Sequence, residues 1–386
     1  TSGSLGYGWR HNWMISVEEI GDQVYVTYGN GRQIRFTWDG SGYEGAPGIF
    51  SALTESGGIF HLTKKDQTTY HFDAQGRLGS VDDRNGNTTS LAYDAQERLS
   101  TVTGPAGRSL TFGYTSPISD ALISTVTDPA GRTLGYTYNM TGQLTMVTDT
   151  RGYTTTYTYD SDDRLLSMTD AKGHTFVTNQ YNDAGRVVKQ WDGEGNLWTF
   201  AYDEPDHDTI VTDPLGHTTT YDYDSELRLV SETDAIGNTI SYVYDADNNR
   251  VRVIDKRGNT TRYAYDDRGN TTVITDALGY TRTLAYDAWN NPTRETDKLG
   301  HTTVYTYDTS SNMLARQDAL GNVAHWTYDA YGQITSQTDA LGRVTRHAYD
   351  TYGHQTAITD ALANATTLTY DIGGRKLSDT DAKGRT

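Results

Sequence analysis

Cysteine is absent from the 386 residues of this chain, so the chain can form neither a disulfide bond nor a thiolate metal site. Long apolar runs are missing as well, and none approaches the roughly 18 residues of a membrane span. No signal peptide is visible, and the first residue is Thr1 rather than methionine, which predicts that the chain is cut from a longer protein. A disulfide-stapled secreted scaffold is therefore excluded, and no membrane span is expected.

Positive charge is scarce too. Lys and Arg number 32 against 50 Asp and Glu, which gives a formal net charge of −18. An acidic surface repels the phosphate backbone, so no nucleic-acid partner is expected. Hydrophobic residues make up only 35% of the chain, a value compatible with disorder. However, the 29 tyrosines recur in a fixed order with threonine and aspartate, and this order predicts a folded protein.

A repeat of 21 residues runs through most of the chain. Its first landmark is a tyrosine followed by Asp or Asn, its second is an aspartate 11 residues later, and its third is a glycine three residues after that. One step of 22 residues occurs in each series, and Ala363 interrupts the glycine series. The landmarks on which the interpretation depends include Tyr159, Tyr202, Tyr223, Tyr244, Tyr265, Tyr286, Tyr307, Tyr328 and Tyr349, then Asp170, Asp213, Asp234, Asp276 and Asp339, and finally Gly216, Gly237, Gly279 and Gly342.

The period divides the chain into two regions. Residues 71–386 form the repeat region, with about twelve repeats in strict phase from residue 138, three earlier ones, and an end that falls within a repeat. The step from Tyr114 to Tyr138 is 24 residues, which predicts a longer surface loop near Ser116-Pro117-Ile118. Residues 1–70 lack the period but contain alternating strand-like runs, so they are predicted to be an irregular β lead-in that begins or caps the repeats.

Each repeat is predicted to be a β-hairpin. In residues 154–159, β-branched and aromatic residues alternate with a period of two, which places Tyr157 and Tyr159 on one face of a strand. Turns follow at 160–163 and 170–173, where Gly, Asn and Asp recur. A single hairpin is marginal in water, so neighbouring hairpins must pair edge to edge. We expect the recurring tyrosines to stack as aromatic ladders, and the recurring Asp and Thr to bond turn backbone groups.

The predicted fold class is all-β. Twelve phased repeats supply roughly 24 strands, and at ~4.8 Å per strand they make a strip on the order of 115 Å long. A twisted strip of that length cannot stay flat. We expect a long coiled antiparallel sheet that forms part of a hollow β-shell or spiral solenoid, too wide for side chains to fill its interior.

The repeat resembles that of the Rhs or YD-repeat family. Tyr328-Asp329-Ala330-Tyr331-Gly332-Gln333-Ile334 and Thr338-Asp339-Ala340-Leu341-Gly342-Arg343 show the motif, and the segment from Leu5 to Trp13 is similar to the start of a bacterial Rhs core. The resemblance covers essentially the whole chain. It implies a hollow shell, like those of toxin-complex proteins and teneurins, which in bacterial members encloses a variable C-terminal toxin domain.

The resemblance also implies partners and a location. The partners are the remaining Rhs core and the C-terminal toxin of the same polypeptide, with secretion machinery, such as type VI secretion, or cell-surface glycans as further candidates. The protein is expected to be secreted or displayed at the cell surface and to act in competition between bacteria. The sequence departs from the family pattern because it stops at Thr386 without a terminal plug or toxin domain.

The self-cleavage motif of the family, an Asp-Pro-x-Gly-Leu sequence, is not matched either. Asp128-Pro129-Ala130-Gly131-Arg132 and Asp213-Pro214-Leu215-Gly216-His217 come close, but both lack the final Leu and fall on the ordinary repeat turn. They are interpreted as turns rather than processing sites.

No catalytic residue, cofactor or metal is expected, and the chain is not predicted to be an enzyme. A catalytic residue is singular, whereas carboxylates such as Asp162-Asp163 recur at equivalent turns. His174, His217 and His301 share a position that holds Asn, Tyr or Arg in other repeats, which argues against dedicated metal ligands.

Two other functions remain open. The first is an extracellular adhesin or fibre element that binds glycans or associates with itself through open sheet edges. The second is a carbohydrate-active enzyme on a β-solenoid. Tryptophans could stack on sugars, but packing against neighbouring strands is favoured for Trp191, Trp198, Trp289 and Trp326.

Overall fold

A computed structural model of the chain describes residues 2–118, 120–203 and 207–386. The regular structure of these residues consists of 38 β-strands, which confirms the predicted all-β class. None of the described segments forms a helix with the length and hydropathy that a bilayer crossing requires.

Nine strands belong to the lead-in or start the repeats. They are β1 (Ser2–Gly3), β2 (Gly6–Tyr7), β3 (Ser16–Ile20), β4 (Gln23–Thr27), β5 (Gln33–Trp38), β6 (Tyr43–Gly45), β7 (Ala52–Ser56), β8 (Ile59–Thr63) and β9 (Thr69–Phe72).

The repeats supply the remaining strands, mostly five or six residues long. They are β10 (Leu78–Asp82), β11 (Thr88–Tyr93), β12 (Leu99–Thr103), β13 (Ser109–Tyr114), β14 (Ile123–Thr127), β15 (Thr133–Tyr138), β16 (Leu144–Thr148), β17 (Thr154–Tyr159), β18 (Leu165–Thr169), β19 (Thr175–Tyr181), β20 (Val187–Asp192), β21 (Leu197–Asp203), β22 (Asp208–Thr212), β23 (Thr218–Tyr223), β24 (Leu229–Thr233), β25 (Thr239–Tyr244), β26 (Arg250–Ile254), β27 (Thr260–Tyr265), β28 (Thr271–Thr275), β29 (Thr281–Tyr286), β30 (Pro292–Thr296), β31 (Thr302–Tyr307), β32 (Met313–Gln317), β33 (Val323–Tyr328), β34 (Ile334–Thr338), β35 (Val344–Tyr349), β36 (Gln355–Thr359), β37 (Ala365–Tyr370) and β38 (Lys376–Thr380).

One antiparallel sheet runs from β3 to β38, and each strand in it pairs with the strand before it and the strand after it in sequence. The sheet therefore has 36 strands and passes without a break from the lead-in into the repeats. Edge-to-edge pairing of hairpins, the central prediction from the sequence, is confirmed.

Two kinds of turn alternate along the sheet. A Tyr-Asp turn, such as 329–333, follows the landmark tyrosine, and a Thr-Asp turn, such as 339–343, contains the landmark aspartate and glycine. Since the strands are antiparallel, all Tyr-Asp turns lie along one edge of the ribbon and all Thr-Asp turns along the other. We call these edges the Tyr-Asp rim and the Thr-Asp rim.

Most Tyr-Asp hairpins contain a β-bulge. In one of them Thr158 pairs with Ser167 and Tyr159 pairs with Leu165, so Leu166 is an extra residue in the second strand. A bulge bends the strand and increases its right-handed twist. Because the bulge recurs from hairpin to hairpin, its bend adds up along the ribbon and favours coiling.

The apolar core is concentrated at the start of the sheet. Val24, Val26, Phe36, Leu62 and Leu78 are fully buried there, in a cluster that extends from Ile15 to Val102. In most later repeats both faces of the ribbon are half-buried or exposed. The lead-in thus gives the ribbon a packed beginning, while the later repeats depend mainly on contacts between neighbouring hairpins.

The outer edge of the first sheet strand, β3, is covered at its start. The Val17 N–H donates to the carbonyl oxygen of Gly76 at 2.8 Å, and Ser16 forms a β-bridge with Arg77. The expectation of open sheet edges is therefore wrong for the start of β3, because the first Tyr-Asp turn folds against it. At the other end, β38 pairs with β37 alone within the described part of the chain, and self-association through that edge stays a prediction.

The predicted insertion near Ser116-Pro117-Ile118 forms a loop between β13 and β14. Its backbone is held by Arg98, whose Nη1 donates to the carbonyl oxygens of Ser116 at 2.7 Å and Ile118 at 2.8 Å. The Ile118 side chain is exposed, so the loop lies on the surface as expected.

The ribbon coils back onto itself. Asn248 Nδ2 donates to the carbonyl oxygen of Pro47 at 2.9 Å, and Asn312 Nδ2 donates to Asn85 Oδ1 at 2.7 Å. Further contacts join Asn87 to Tyr331, Arg108 to His354, and Arg132 to Gly373. In each pair, a turn on the Thr-Asp rim of the first coil of the ribbon contacts a Tyr-Asp turn of the second coil. We call this line of contacts the seam, and it confirms the predicted spiral.

The coil widens as it proceeds. Nineteen strands separate the turn of Pro47 from that of Asn248, whereas 23 separate the turn of Arg108 from that of His354. At ~4.8 Å per strand, the perimeter grows from roughly 90 Å to roughly 110 Å. A circular section of the larger perimeter is about 35 Å across between backbones, which is too wide for side chains from the wall to fill.

Candidate functional site

The candidate functional site is the wall itself, and tyrosine hydroxyls join its hairpins. Tyr286 Oη donates to the backbone carbonyl oxygen of Thr271 in the preceding hairpin at 3.0 Å. The same bond, to a residue 15 positions earlier, is made by Tyr93, Tyr114, Tyr138, Tyr159, Tyr202, Tyr244, Tyr265, Tyr307, Tyr328, Tyr349 and Tyr370. Tyr181 donates instead to the carbonyl oxygen of Leu165, 16 positions earlier, at 2.7 Å, and Tyr223 does not make this bond within the described part of the chain. The carbonyl that accepts it lies beside the bulge, where the strand ladder is interrupted.

Among the described residues, the landmark tyrosine rings do not contact one another, so the predicted aromatic ladders are wrong. Equivalent tyrosines lie two strands apart, which is roughly 9.6 Å and beyond ring contact. Arginine side chains fill part of this space: the guanidinium of Arg164 lies 4.9 Å from the ring centre of Tyr181, and that of Arg228 lies 5.0 Å from the ring centre of Tyr244. Hydroxyl–carbonyl bonds are therefore the common rungs, and cation–π contacts add to them at Tyr93, Tyr114, Tyr181, Tyr202 and Tyr244.

Burial of these hydroxyls changes their acidity. It raises the pKa of Tyr93, Tyr114 and Tyr307 to about 12 in each case. The neutral phenol, which can donate to the carbonyl, is thus the form that the wall favours.

The landmark aspartates close their own turns, as predicted. Asp339 Oδ1 accepts hydrogen bonds from the backbone N–H of Leu341 at 2.9 Å and of Arg343 at 3.0 Å, and Arg343 Nε donates to Oδ2 at 2.6 Å. The same pair of backbone bonds occurs at Asp170, Asp213, Asp234 and Asp276. Hydrogen bonds from Arg343 hold the pKa of Asp339 below its usual range.

The threonines beside these turns behave differently from the prediction. Thr233 and Thr239 hydrogen-bond each other through their hydroxyls at 2.8 Å, and Thr296 and Thr302 do so at 3.1 Å. They tie together the two strands that flank a Thr-Asp turn, whereas the aspartate already occupies the turn backbone.

Each landmark glycine has a left-handed backbone. The φ angles are 85° at Gly216, 84° at Gly237, 84° at Gly279 and 77° at Gly342. This conformation favours glycine, which explains the third landmark. Ala363 adopts it as well, with φ of 63°, and so breaks the residue pattern without breaking the turn.

The three histidines considered as metal ligands make hydrogen bonds within or between Thr-Asp turns. His217 Nδ1 lies 3.0 Å from Asp213 Oδ2, and His301 Nδ1 lies 3.1 Å from Asp297 Oδ2. His174 Nε2 lies 2.8 Å from the carbonyl oxygen of Gly193. Among the described residues, no group of three or more His, Asp or Glu side chains is placed to hold a metal ion.

Three of the four tryptophans lie in strands, and one lies in a turn. Trp191 and Trp326 are half-buried in strands, while Trp198 in β21 is more exposed. Trp289 lies in a Tyr-Asp turn rather than in a strand, and 49% of it is exposed. The predicted packing against neighbouring strands is therefore wrong for Trp289, because the apex of a turn has no neighbouring strand to cover it.

Sequence reasoning missed a row of exposed apolar side chains on the Thr-Asp rim. Beyond the seam, the third residue of most Thr-Asp turns is Leu or Ile, with exposures from 71% to 88%. The row consists of Leu215, Ile236, Leu278, Leu299, Leu320, Leu341 and Leu362. Within the seam the same position holds Asn85, Ala106 or Ala130. The sequence contains this pattern, because Leu or Ile recurs at the position just before the landmark glycine.

The sequence model described as RHS Repeat matches the chain eight times. The matches cover residues 72–109, 120–154, 138–175, 223–260, 244–281, 265–302, 286–323 and 328–365, which together amount to more than half of the chain. The comparison with curated protein sequences gave no match.

Several solved structures share the fold. The crystal structure of TcdB2-TccC3 superposes with a TM-score of 0.60 at 14% identity, over 93% of this chain and 22% of that one. The same complex without its hypervariable C-terminal region gives 0.59 at 13% identity, over 93% and 22%. The Photorhabdus luminescens Tc holotoxin pore with the mutation TccC3-D651A gives 0.59 at 12% identity, over 95% and 25%. The chain thus spans about a quarter of the length of these proteins.

Proposed function

The chain belongs to the RHS repeat family, and we propose that it is a segment of a shell wall that encloses a toxin and takes part in its delivery to competing bacteria. The observation that carries this proposal is the seam, through which two coils of the ribbon close against each other. Since the coil is too wide for its own side chains to fill, the wall surrounds a space. The likeness to TccC3-containing structures supports the shell fold.

The widening of the coil favours a shell over a fibre. A fibre of constant bore needs the same number of strands in every turn, whereas here the number rises from 19 to 23 along the seam. A wall whose perimeter grows from turn to turn encloses a rounded volume. The hypothesis of an adhesin or fibre element therefore has less support.

The open part of the Thr-Asp rim is the surface on which we expect further shell to lie. In the seam, Thr-Asp turns of one coil are covered by Tyr-Asp turns of the next. The exposed Leu and Ile row continues the same rim, and an apolar row of this extent favours a protein partner. The partner in this proposal is the remaining core of the same polypeptide.

In this proposal the wall has no catalytic role. Its carboxylates and tyrosines recur from hairpin to hairpin and are engaged in turns and in bonds between hairpins, so a catalytic activity would belong to the enclosed toxin. The protein would reach its target by export or by display at the cell surface, with secretion machinery as a partner.

Electron microscopy and limited proteolysis of the natural polypeptide test the proposal. We expect images of a hollow shell with internal density, and a segment outside the repeats that resists protease until mild denaturant opens the wall. Asn85→Ala, which removes a seam bond, should hasten that cleavage. Lys172→Ala, at the same turn position outside the seam, should not. A solid fibre, or a segment that is cut equally fast before and after opening, would contradict the proposal.

A further inference from the structure

The turn between β8 and β9 is a Thr-Asp turn in which lysine replaces the aspartate. The Lys64 N–H donates to the carbonyl oxygen of Thr68 at 2.9 Å, and the Gln67 N–H donates to that of Lys64 at 3.0 Å. These bonds have the same spacing as those at Asp339, and Gln67 has the positive φ, 67°, of a landmark glycine. The flanking hydroxyls of Thr63 and Thr69 pair as well. Lys64 therefore occupies an aspartate position.

Uncharged groups hold the Lys64 ammonium in place. Its Nζ donates to Tyr70 Oη at 2.7 Å. The same nitrogen lies 4.6 Å from the ring centre of Tyr70 and 5.3 Å from that of Tyr28. The cation is thus fixed by aromatic rings rather than by a carboxylate.

The next residue, Lys65, is held in the same manner. Its Nζ donates to the carbonyl oxygen of Gly269 across the seam at 2.9 Å, and it lies 5.3 Å from the ring centre of Phe50. Burial lowers the pKa of Lys65. The negative charge of Asp266 across the seam offsets only part of this effect. A partly buried cation without an anion in contact is unfavourable, so a bound anion would relieve this cost.

These two lysines and Arg32 line a pocket of about 650 Å³. None of the three has a carboxylate within 4.0 Å in the part of the chain that the structure describes. Asp66 is the sole acid among the lining residues, and its Oδ1 accepts the Thr68 N–H at 3.0 Å. Three cations against one acid is a local reversal in a chain with a net charge of −18.

Apolar side chains also line the pocket, together with the polar residues Asn12, Asn30 and Ser51. Ile15, Ile34, Ile49 and Phe50 contribute to its lining, and Ile15 and Ile34 are also part of the buried core. The volume lies within the range of small-molecule sites, about 300 to 1,000 Å³. A cationic side next to an apolar side matches an anion that carries an apolar group.

We propose that this pocket binds a small organic anion, whose carboxylate or phosphate group lies against Arg32, Lys64 and Lys65 and whose apolar part lies against the isoleucines and Phe50. The site does not depend on what the shell encloses. Because the lysine pair is held in place before any ligand arrives, little side-chain order has to be gained on binding.

Calorimetric titration of the chain with octanoate tests the proposal. We expect saturable binding that weakens as salt is added, since screening reduces the attraction between charges. Octanamide, which has the same apolar chain without the charge, and inorganic phosphate, which has charge without an apolar chain, should each bind at least roughly ten-fold more weakly. No binding of octanoate, or equal binding of octanoate and octanamide, would overturn the proposal.

Lys64→Asp is the sharpest variant, because it restores the residue that closes most other Thr-Asp turns while it reverses the charge. We expect it to fold and to bind octanoate at least roughly ten-fold more weakly. Lys172→Asp, on an exposed Thr-Asp turn far from the pocket, should bind as the parent chain does. Arg32→Gln provides a second variant if the first unfolds, because the Arg32 side chain is exposed and makes no hydrogen bond or ion pair within the described part of the chain. Unchanged affinity in a folded Lys64→Asp or Arg32→Gln chain would contradict the assignment.

Discussion

Tyr286 and Thr271 lie in adjacent hairpins, and the tyrosine hydroxyl donates to the threonine carbonyl oxygen at 3.0 Å. The bond joins two repeats where the bulge interrupts the ladder. Since most repeats make the same bond, the hydroxyl explains the tyrosine landmark, and the ring contacts arginine in only some repeats. A phenylalanine in its place would fill the same space but leave a carbonyl without its donor.

We expect Tyr286→Phe to lower the free energy of unfolding by about 1 kcal/mol, the usual net contribution of one hydrogen bond. Urea denaturation followed by tryptophan fluorescence would measure the change. Tyr280→Phe is the matched control, because Tyr280 is 50% exposed and its hydroxyl makes no hydrogen bond to any residue that the structure describes. Equal effects of the two substitutions would show that the hydroxyl–carbonyl bond does not stabilise the wall.

Alkaline pH should loosen the wall. The folded-state pKa of Tyr93, Tyr114 and Tyr307 is about 12, above the unfolded value of about 10. The stabilisation is therefore complete below about pH 10 and is lost as the pH rises through about 12. Tyrosinate absorbance should show a late-titrating fraction in the folded chain that shifts to about pH 10 in denaturant. A single transition near pH 10 in the folded chain would contradict this expectation.

Acid should unfold the turns. Backbone hydrogen bonds from His174 and Arg343 hold the pKa values of Asp170 and Asp339 below their usual range. The unfolded value is about 3.9, so the stabilisation is present above that pH and is lost as the pH falls through the lower folded values. Circular dichroism should show a transition below about pH 4. If unfolding began near neutral pH, groups other than these aspartates would be responsible.

Gly279→Ala should destabilise the chain by about 1 to 2 kcal/mol because of backbone strain alone. Its φ is 84°, and a methyl group there would meet nothing within 4 Å. Ala363→Gly is the reciprocal change at an equivalent turn and should be neutral or stabilising by up to about 1 kcal/mol. Thermal unfolding of both variants measures the difference, and a tolerant Gly279→Ala chain would show that the turn relaxes.

The seam can be weakened without changing either hairpin ladder. Asn85→Ala removes the acceptor of Asn312 Nδ2, although that amide keeps its bond to Asp308. We expect faster hydrogen exchange at the seam turns 83–87 and 308–312, with little change in overall unfolding. Lys172→Ala, at the corresponding turn position outside the seam, should leave exchange there unaltered. Uniformly faster exchange along the ribbon would mean that the coils do not act separately.

The hairpins and turns could be predicted from the sequence because they are local. Glycine and aspartate at fixed spacing specify a turn, and alternation specifies the strands. The bond from Tyr286 to Thr271 could not be predicted, because it depends on the bulged register between hairpins. The seam depends on twist accumulated over about twenty strands, which no short pattern encodes. Lys64 was missed because its step to Asp83 is 19 residues rather than 21.

At the seam, each Thr-Asp turn of the first coil meets a Tyr-Asp turn of the second. One hairpin is therefore the smallest change in the perimeter of the coil that keeps this pairing of turns. Adding or removing 21 residues lengthens or shortens a lap by two strands, or about 10 Å. A shift of one strand would bring the wrong kind of turn to the contact. Duplication or loss of single repeats in the gene would therefore change the enclosed volume of such a shell in fixed increments.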